Sequence, residues 1–400
     1  MKWDSLISKE KTLIEVEKSI NNIYIYLREQ KNYDSYGVLY GLSSVILFFA
    51  EMYRHYRKAE ILNDLNEKIE ILLSHINEEI GPTLCSGQAG ICWLLRYLDS
   101  NEIIDCDDID DILNDIDKYV YYLFVHSFIN DVDYLHGGLG IAYYYLLANN
   151  KHSASVGKIF LNKLIETKIN FDDGSCAWKT QVKDSRKDKY VTVANFSLSH
   201  GMAAIIVFLA KYFELTKDIE ASHLIRQTFS FFTNNVNPDN YYSVFSNWID
   251  FEVPNERCES RLAWCYGDFG IALALRYAGT VLNDSVMLNF SDFVAKKTTH
   301  RFTESKIVDA TFCHGSSGAC FMYNFLYQRL GDKLYEESAI FWLNDTLNRV
   351  NSINFENKIN NTDQLNNDDS FLTGLSGVGL TLLSLIDKDC ASWSEILLLN

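Results

Sequence analysis

Cys313 and His314 stand side by side in "TFCHGSSGACFMYNFLY", residues 311–327, immediately before a Gly-Ser-Ser-Gly turn and an apolar run. Another thiol, Cys265, lies two residues before Gly267 in "RLAWCYGDFG". Two thiolates and an imidazole are good zinc ligands, and three protein ligands with a fourth position open make a catalytic rather than a structural site. The chemistry available to such an ion is the activation of a bound thiol or water. Spacing alone leaves other readings open. The two segments are about 48 residues apart, unlike a compact zinc finger, and a buried cysteine is often only a small hydrophobe. Asp133 and His136 before Gly137, His200 before Gly201 and Cys85 before Gly87 occupy comparable places, so position by itself nominates them too. The remaining thiols, Cys92, Cys106, Cys176, Cys258, Cys320 and Cys390, are expected in packing or surface roles.

The glycines that follow these groups belong to one pattern found seven times: a Gly, usually a second Gly three residues on, then about ten apolar residues. The instances begin at Gly41, Gly87, Gly137, Gly201, Gly267, Gly315 and Gly374, and the first and fourth lack the second glycine. Spacings of roughly 46 to 66 residues suit one helical hairpin per repeat, each apolar segment being followed by a more polar one such as "LNDLNEKIEILLSHI". A helix apolar all round is buried, whereas one with a charged face lies outside it. Seven of each predict two concentric layers, a mainly α fold of the α/α toroid type. Its inner helices would all start at one end, bringing the polar groups before each Gly together.

Two longer intervals alternate polar and β-branched residues and predict strand-containing insertions at about 168–196 and 238–260. No stretch reads as an interdomain linker, so residues 1–400 are expected to form a single domain carrying those insertions. A formal charge of -17 disfavours nucleic acid and anionic membranes as partners. There is no run of 18 apolar residues, the first twenty residues lack an apolar signal core, and nine cysteines are scattered without pattern. A reduced, cytoplasmic setting is therefore expected.

"AWCYG" at 263–267, "CHG" at 313–315, "LSHG" at 198–201 and the recurring Gly-x-x-Gly turns resemble the lanthipeptide cyclases of the LanC family, over nearly the whole chain. The resemblance implies a stand-alone α/α toroid holding one zinc ion on Cys265, Cys313 and His314. The activity it implies is closure of (methyl)lanthionine thioether rings, by Michael addition of cysteine thiols to dehydroalanine or dehydrobutyrine. The substrate would be a dehydrated precursor peptide with a leader, and the partners a dehydratase and a peptide exporter that bring the cyclase to a membrane. His200 matches the family's SHG histidine and is the candidate acid for the enolate carbon. Asp133 would orient a histidine or take the thiol proton, Arg261 would stabilise the enolate oxygen, and Tyr266 would add a hydrogen bond. The family usually has Pro-Gly where Phe269-Gly270 stand here. Thiol addition from glutathione, a prenyltransferase-like thiol alkylation and a non-enzymatic helical scaffold are the competing readings; tightly bound zinc separates the enzymes from the scaffold.

Overall fold

The computed structural model describes residues 5–400 other than 8, 77–78, 105–108, 186, 354, 356–367, 388 and 390. Cys106 and Cys390 lie outside the described residues. In chain order the helices are α1 (Glu10–Arg28), α2 (Leu42–Tyr56), α3 (Ala59–His75), α4 (Gln88–Ser100), α5 (Ile109–Leu123), α6 (Gly138–Ala148), α7 (Ser153–Thr167), α8 (Met202–Thr216), α9 (Ile219–Asn234), α10 (Asp268–Leu282), α11 (Ser285–Thr298), α12 (Ser316–Leu330), α13 (Lys333–Asn351) and α14 (Leu375–Ile386). None among the described residues is long and apolar enough to cross a membrane.

Each Gly motif opens a buried helix. In α2 every residue from Leu42 to Met52 is buried, whereas the following α3 buries only Ile61, Leu65, Lys68 and Leu72, a single stripe. The same contrast separates α8 from α9. The hairpins are tight because the inner helix ends on a left-handed residue and the next one starts at once: Lys217, Asn283 and Gly331 are left-handed, and the adjoining Asp218, Asp284 and Asp332 accept backbone N–H groups of the outer helix.

The chain divides into two compact units. One comprises residues 1–122 and 307–393 and contains the hairpins α2–α3 and α12–α13. Here the expected order breaks: α14 is followed by the short 3-10 helix Ser392–Leu397 rather than by an amphipathic helix, and it packs on α1 from the start of the chain. The other unit, residues 123–306 and 394–400, stacks α6–α7, α8–α9 and α10–α11. It also holds the strands β1 (Ile169–Asn170), β2 (Cys176–Ala177), β3 (Lys179–Asp184), β4 (Lys189–Asn195) and β5 (Trp248–Asp250). β1 pairs with β2, and the other three form an antiparallel sheet in the order β3-β4-β5, so both predicted insertions carry strands. The C-terminal segment is tied into this unit: Tyr134 donates to the Ile396 carbonyl, and Trp264 Nε1 donates to the Leu397 carbonyl at 2.8 Å.

The glycines are explained by close approach of the backbone. Each turn is a loop in which the glycine comes back onto the residue six positions earlier. A Cβ on Gly267 would lie 2.1 Å from the Arg261 carbonyl oxygen, at a φ of +106° that itself disfavours a side chain. The second glycine repeats the contact one turn of helix later, where a Cβ on Gly318 would lie 1.8 Å from the Phe312 carbonyl. Repeat one has Ser44 there, and its hydroxyl donates to the corresponding carbonyl, that of Val38, at 2.9 Å.

Candidate active site

The loops before the inner helices share one construction. Six residues before the glycine, Asp131, Asn195, Asp309 and Asp368 each accept the N–H two residues on, at 2.8–3.0 Å. Four residues before it, Asp133 and Ser197 accept the N–H of His136 and His200, at 2.9 and 3.0 Å. These local bonds, made by short polar side chains that favour turns over helix, fix the two residues preceding each glycine. Cys265 and Cys313 both occupy the place two before the glycine, and His200, Tyr266 and His314 the place one before it.

Neighbouring loops are laced through their backbones. Leu198 N–H donates to the Cys265 carbonyl at 2.9 Å, and Cys313 N–H to the Leu372 carbonyl at 2.8 Å. Behind Cys313, the Phe312 ring packs against Phe321, Phe371 and Trp393. Both thiols are thus carried on rigid turns. Cys265 is buried and Cys313 half-buried.

Cys265 stands on the loop before α10 in one unit, and Cys313 and His314 stand side by side on the loop before α12 in the other. Two thiols and an imidazole form a donor set suited to zinc and leave a tetrahedral ion one open position. Asp309, which the sequence reading missed, places Oδ2 3.6 Å from His314 Nε2. A carboxylate beside a ligating histidine is a common orienting partner, and its sequence signal was the recurrent acidic or amide residue six before the glycine.

Asp133 Oδ2 and His200 Nδ1 are 2.6 Å apart, with both side chains half-buried. Burial works against the imidazolium, but the hydrogen bond and charge of Asp133 outweigh it, so His200 titrates above an ordinary histidine. Burial likewise works against the Asp133 carboxylate, and its bonds to His200 and to the His136 N–H outweigh that, holding its pKa below the usual value. Asp133 does not cap α6; it caps the turn before it and faces the histidine of the next loop. His136 lies parallel to the His200 ring with centroids 6.1 Å apart.

Tyr266 OH accepts from Asn195 Nδ2 at 3.3 Å, and its ring lies 6.1 Å from that of His200 and 6.3 Å from that of Trp248. Burial pushes its pKa up, so the phenol stays protonated at neutral pH. Arg261 is exposed, and among the described residues no carboxylate pairs with it. The unit formed by residues 123–306 and 394–400 encloses a cavity of about 890 Å³ lined by Asp133, His200, Arg261, Cys265 and Tyr266, and by the whole of β3 from Lys179 to Lys183. Just behind it, Asp268 at the start of α10 is fully buried and accepts from Val244 N–H and Phe245 N–H, both at 2.8 Å, and from Arg301 at 3.1 Å. Burial raises its pKa to about 6 against these partners. This clamp holds the turn that carries Cys265, and Phe269 is buried beside it where the family usually has proline.

The sequence matches the family of lanthionine synthetase C-like proteins over residues 32–398. It is 24% identical over 359 residues to the nisin biosynthesis protein NisC of Lactococcus lactis subsp. lactis, an alignment covering 83% of this chain and 84% of that protein. The solved structure of nisin cyclase superposes with a TM-score of 0.77 at 20% identity, covering 98% of each chain. The likeness identifies the fold as the mainly helical α/α toroid that the repeat predicts.

Proposed function

Since this chain belongs to the lanthionine synthetase C-like family, we propose that it is a zinc-dependent lanthipeptide cyclase, acting as one domain over residues 1–400 on a dehydrated precursor peptide. The observation that carries the zinc requirement is the donor set of Cys265, Cys313 and His314, two thiols and an imidazole each one or two residues before a repeat glycine. These residues would hold the ion, with Asp309 orienting His314. Zinc, when bound, supplies a Lewis acid that makes a peptide thiol acidic at neutral pH.

The reaction forms one S–Cβ bond to dehydroalanine or dehydrobutyrine. The alkene π pair moves toward the α-carbon and carbonyl oxygen, and a proton is then delivered to the α-carbon. The thiol proton and the α-carbon proton balance, so the product is an isomer of the substrate. Asp133 fixes His200 through Nδ1, which leaves Nε2 as the atom that exchanges a proton, and it stabilises the imidazolium that donates. Arg261, exposed in the cavity without a carboxylate partner among the described residues, suits the developing charge on the enolate oxygen, and the protonated Tyr266 phenol suits a hydrogen bond to the same group. A dehydratase that supplies the dehydro residues and an exporter that removes the product complete the proposed setting.

The test uses a dehydrated precursor peptide. The protein should consume cysteine thiols one for one with dehydro residues while the peptide mass stays constant, read by alkylating residual thiols before mass spectrometry. Preferential use of glutathione or a prenyl diphosphate would assign the site to another thiol transfer.

A further inference from the structure

Resting on the cyclase reading, a second feature of the cavity defines how the peptide is held. β3 is an edge strand: β4 lies on one side of it, and no described strand lies on the other. Phe251 N–H donates to the Thr192 carbonyl and Phe196 N–H to the Asn247 carbonyl, so residues 192, 194 and 196 turn their backbone groups toward β5. Backbone N–H and C=O groups alternate in direction along an antiparallel strand. Residues 191 and 193 of β4 therefore face Val182 and Thr180 of β3 with their hydrogen bonds. By the same alternation, Lys179, Gln181 and Lys183 point N–H and C=O away from the sheet, and none of these six groups has a backbone partner among the described residues. That edge runs for about 14 Å, and its five residues line the same cavity as His200 and Asp133.

We propose that the outward edge of β3 receives the dehydrated precursor peptide as an added fourth strand, hydrogen-bonded to Lys179, Gln181 and Lys183. Side chains directly across a ladder share a face. Asn195 and Trp248, which approach Tyr266, lie on the same face of the sheet as Thr180 and Val182. Peptide residues opposite Thr180 and Val182 therefore turn toward Tyr266 and the catalytic pair, and those between them turn away. Main-chain bonding gives affinity without demanding a particular sequence. A second copy of this chain is a poorer occupant, because antiparallel self-pairing centred on Gln181 sets Lys179 against Lys183, with like charges opposed.

The experiment measures binding of a synthetic peptide carrying one dehydroalanine and one S-methylated cysteine, by fluorescence anisotropy. Gln181→Pro removes one outward N–H without touching a backbone bond to β4 and should weaken binding by about tenfold, with zinc content and far-UV signal retained; Gln181→Ala loses the same side-chain bond to Thr192 but keeps the N–H and should bind like wild type. A scan on the ligand side does not depend on how the variant folds: peptides with a single N-methylated amide should lose affinity at every second position. A flat or non-alternating scan overturns the proposal, as does unchanged affinity in Gln181→Pro. A concentration-dependent dimer abolished by Gln181→Pro, with peptide binding unmoved, assigns the edge to a second copy and also overturns it. In each of these cases ring closure by the wild-type protein leaves the cyclase reading standing, whereas absence of ring closure on dehydrated precursors removes both.

Discussion

Asp133→Asn removes a single charge from the Asp133–His200 pair and nothing else of similar size. Asparagine keeps an oxygen for the His136 N–H, so the turn before α6 persists. What disappears is the carboxylate 2.6 Å from His200 Nδ1, the group that outweighs burial and holds His200 protonated above its ordinary range. With burial opposed only by the smaller effects of the Cys265 and Asp131 charges, the His200 pKa should fall. A hydrogen bond to a charged partner contributes about 1.5–3 kcal/mol. The side chains are 30% and 24% exposed, and solvent screening reduces the expected loss to about 1–2 kcal/mol. The two pH limbs have opposite signs. His200 has a raised folded pKa, so its share is complete below the unfolded imidazole value and is lost as pH rises through the folded one. Asp133 has a depressed folded pKa, so its share is present above the unfolded carboxyl value and is lost as pH falls through the folded one. The deficit of Asp133→Asn should therefore be largest between roughly pH 4 and 6.5 and smaller at pH 9. Denaturant unfolding at pH 5.5 and 9, with an NMR titration of the His200 ring, reads both effects. An unchanged His200 titration, or an equal deficit at both pH values, would refute the reasoning.

Cys313→Ala should lose zinc, measured by inductively coupled plasma mass spectrometry, while its far-UV helical signal persists because the core is built by helices; Cys85→Ala should keep the metal. Gly267→Ala, with its Cβ 2.1 Å from a backbone oxygen at φ +106°, should cost more than about 3 kcal/mol, whereas Gly331→Ala, at φ +65° with nothing within 4 Å, should cost about 1 kcal/mol in the same denaturation assay. Arg301→Met strands the buried Asp268 carboxylate and should destabilise by about 3–5 kcal/mol. Because the Asp268 pKa is already raised to about 6, that loss should grow as pH rises through this value and shrink in acid, where the carboxyl is protonated.

The helical layers were legible because burial writes itself into periodicity: an all-apolar segment after each glycine and a striped one after that give α2 and α3, α8 and α9 and their kin without any tertiary information. The pairing of α14 with α1 was not, since nothing local in "GLSGVGLTLLSL" says that its partner lies some 350 residues earlier. The reason for the glycines was only half visible; the sequence shows where they recur, but the contact with the residue six positions back exists only once the loop closes. Of the candidate residues, Cys265, Cys313, His314, His200 and Asp133 stood out by residue type and repeat position. Asp309 did not, because an aspartate beginning a turn looks the same whether or not a histidine comes within 3.6 Å of it. The edge of β3 was hidden as well: "KTQVKD" reads as an exposed strand, and which of its backbone groups are unused depends on register with β4 and β5.

The most direct test of the cyclase account is a time course of thiol loss on one dehydrated precursor peptide, comparing wild type, Cys313→Ala and His200→Ala under identical conditions. The account predicts rapid thiol loss at constant peptide mass for the wild type and the uncatalysed rate for metal-free Cys313→Ala. His200→Ala should retain its zinc but lose roughly 10²- to 10⁴-fold in rate, the contribution of a positioned acid or base. Equal rates for wild type and Cys313→Ala across several dehydrated precursors would contradict it.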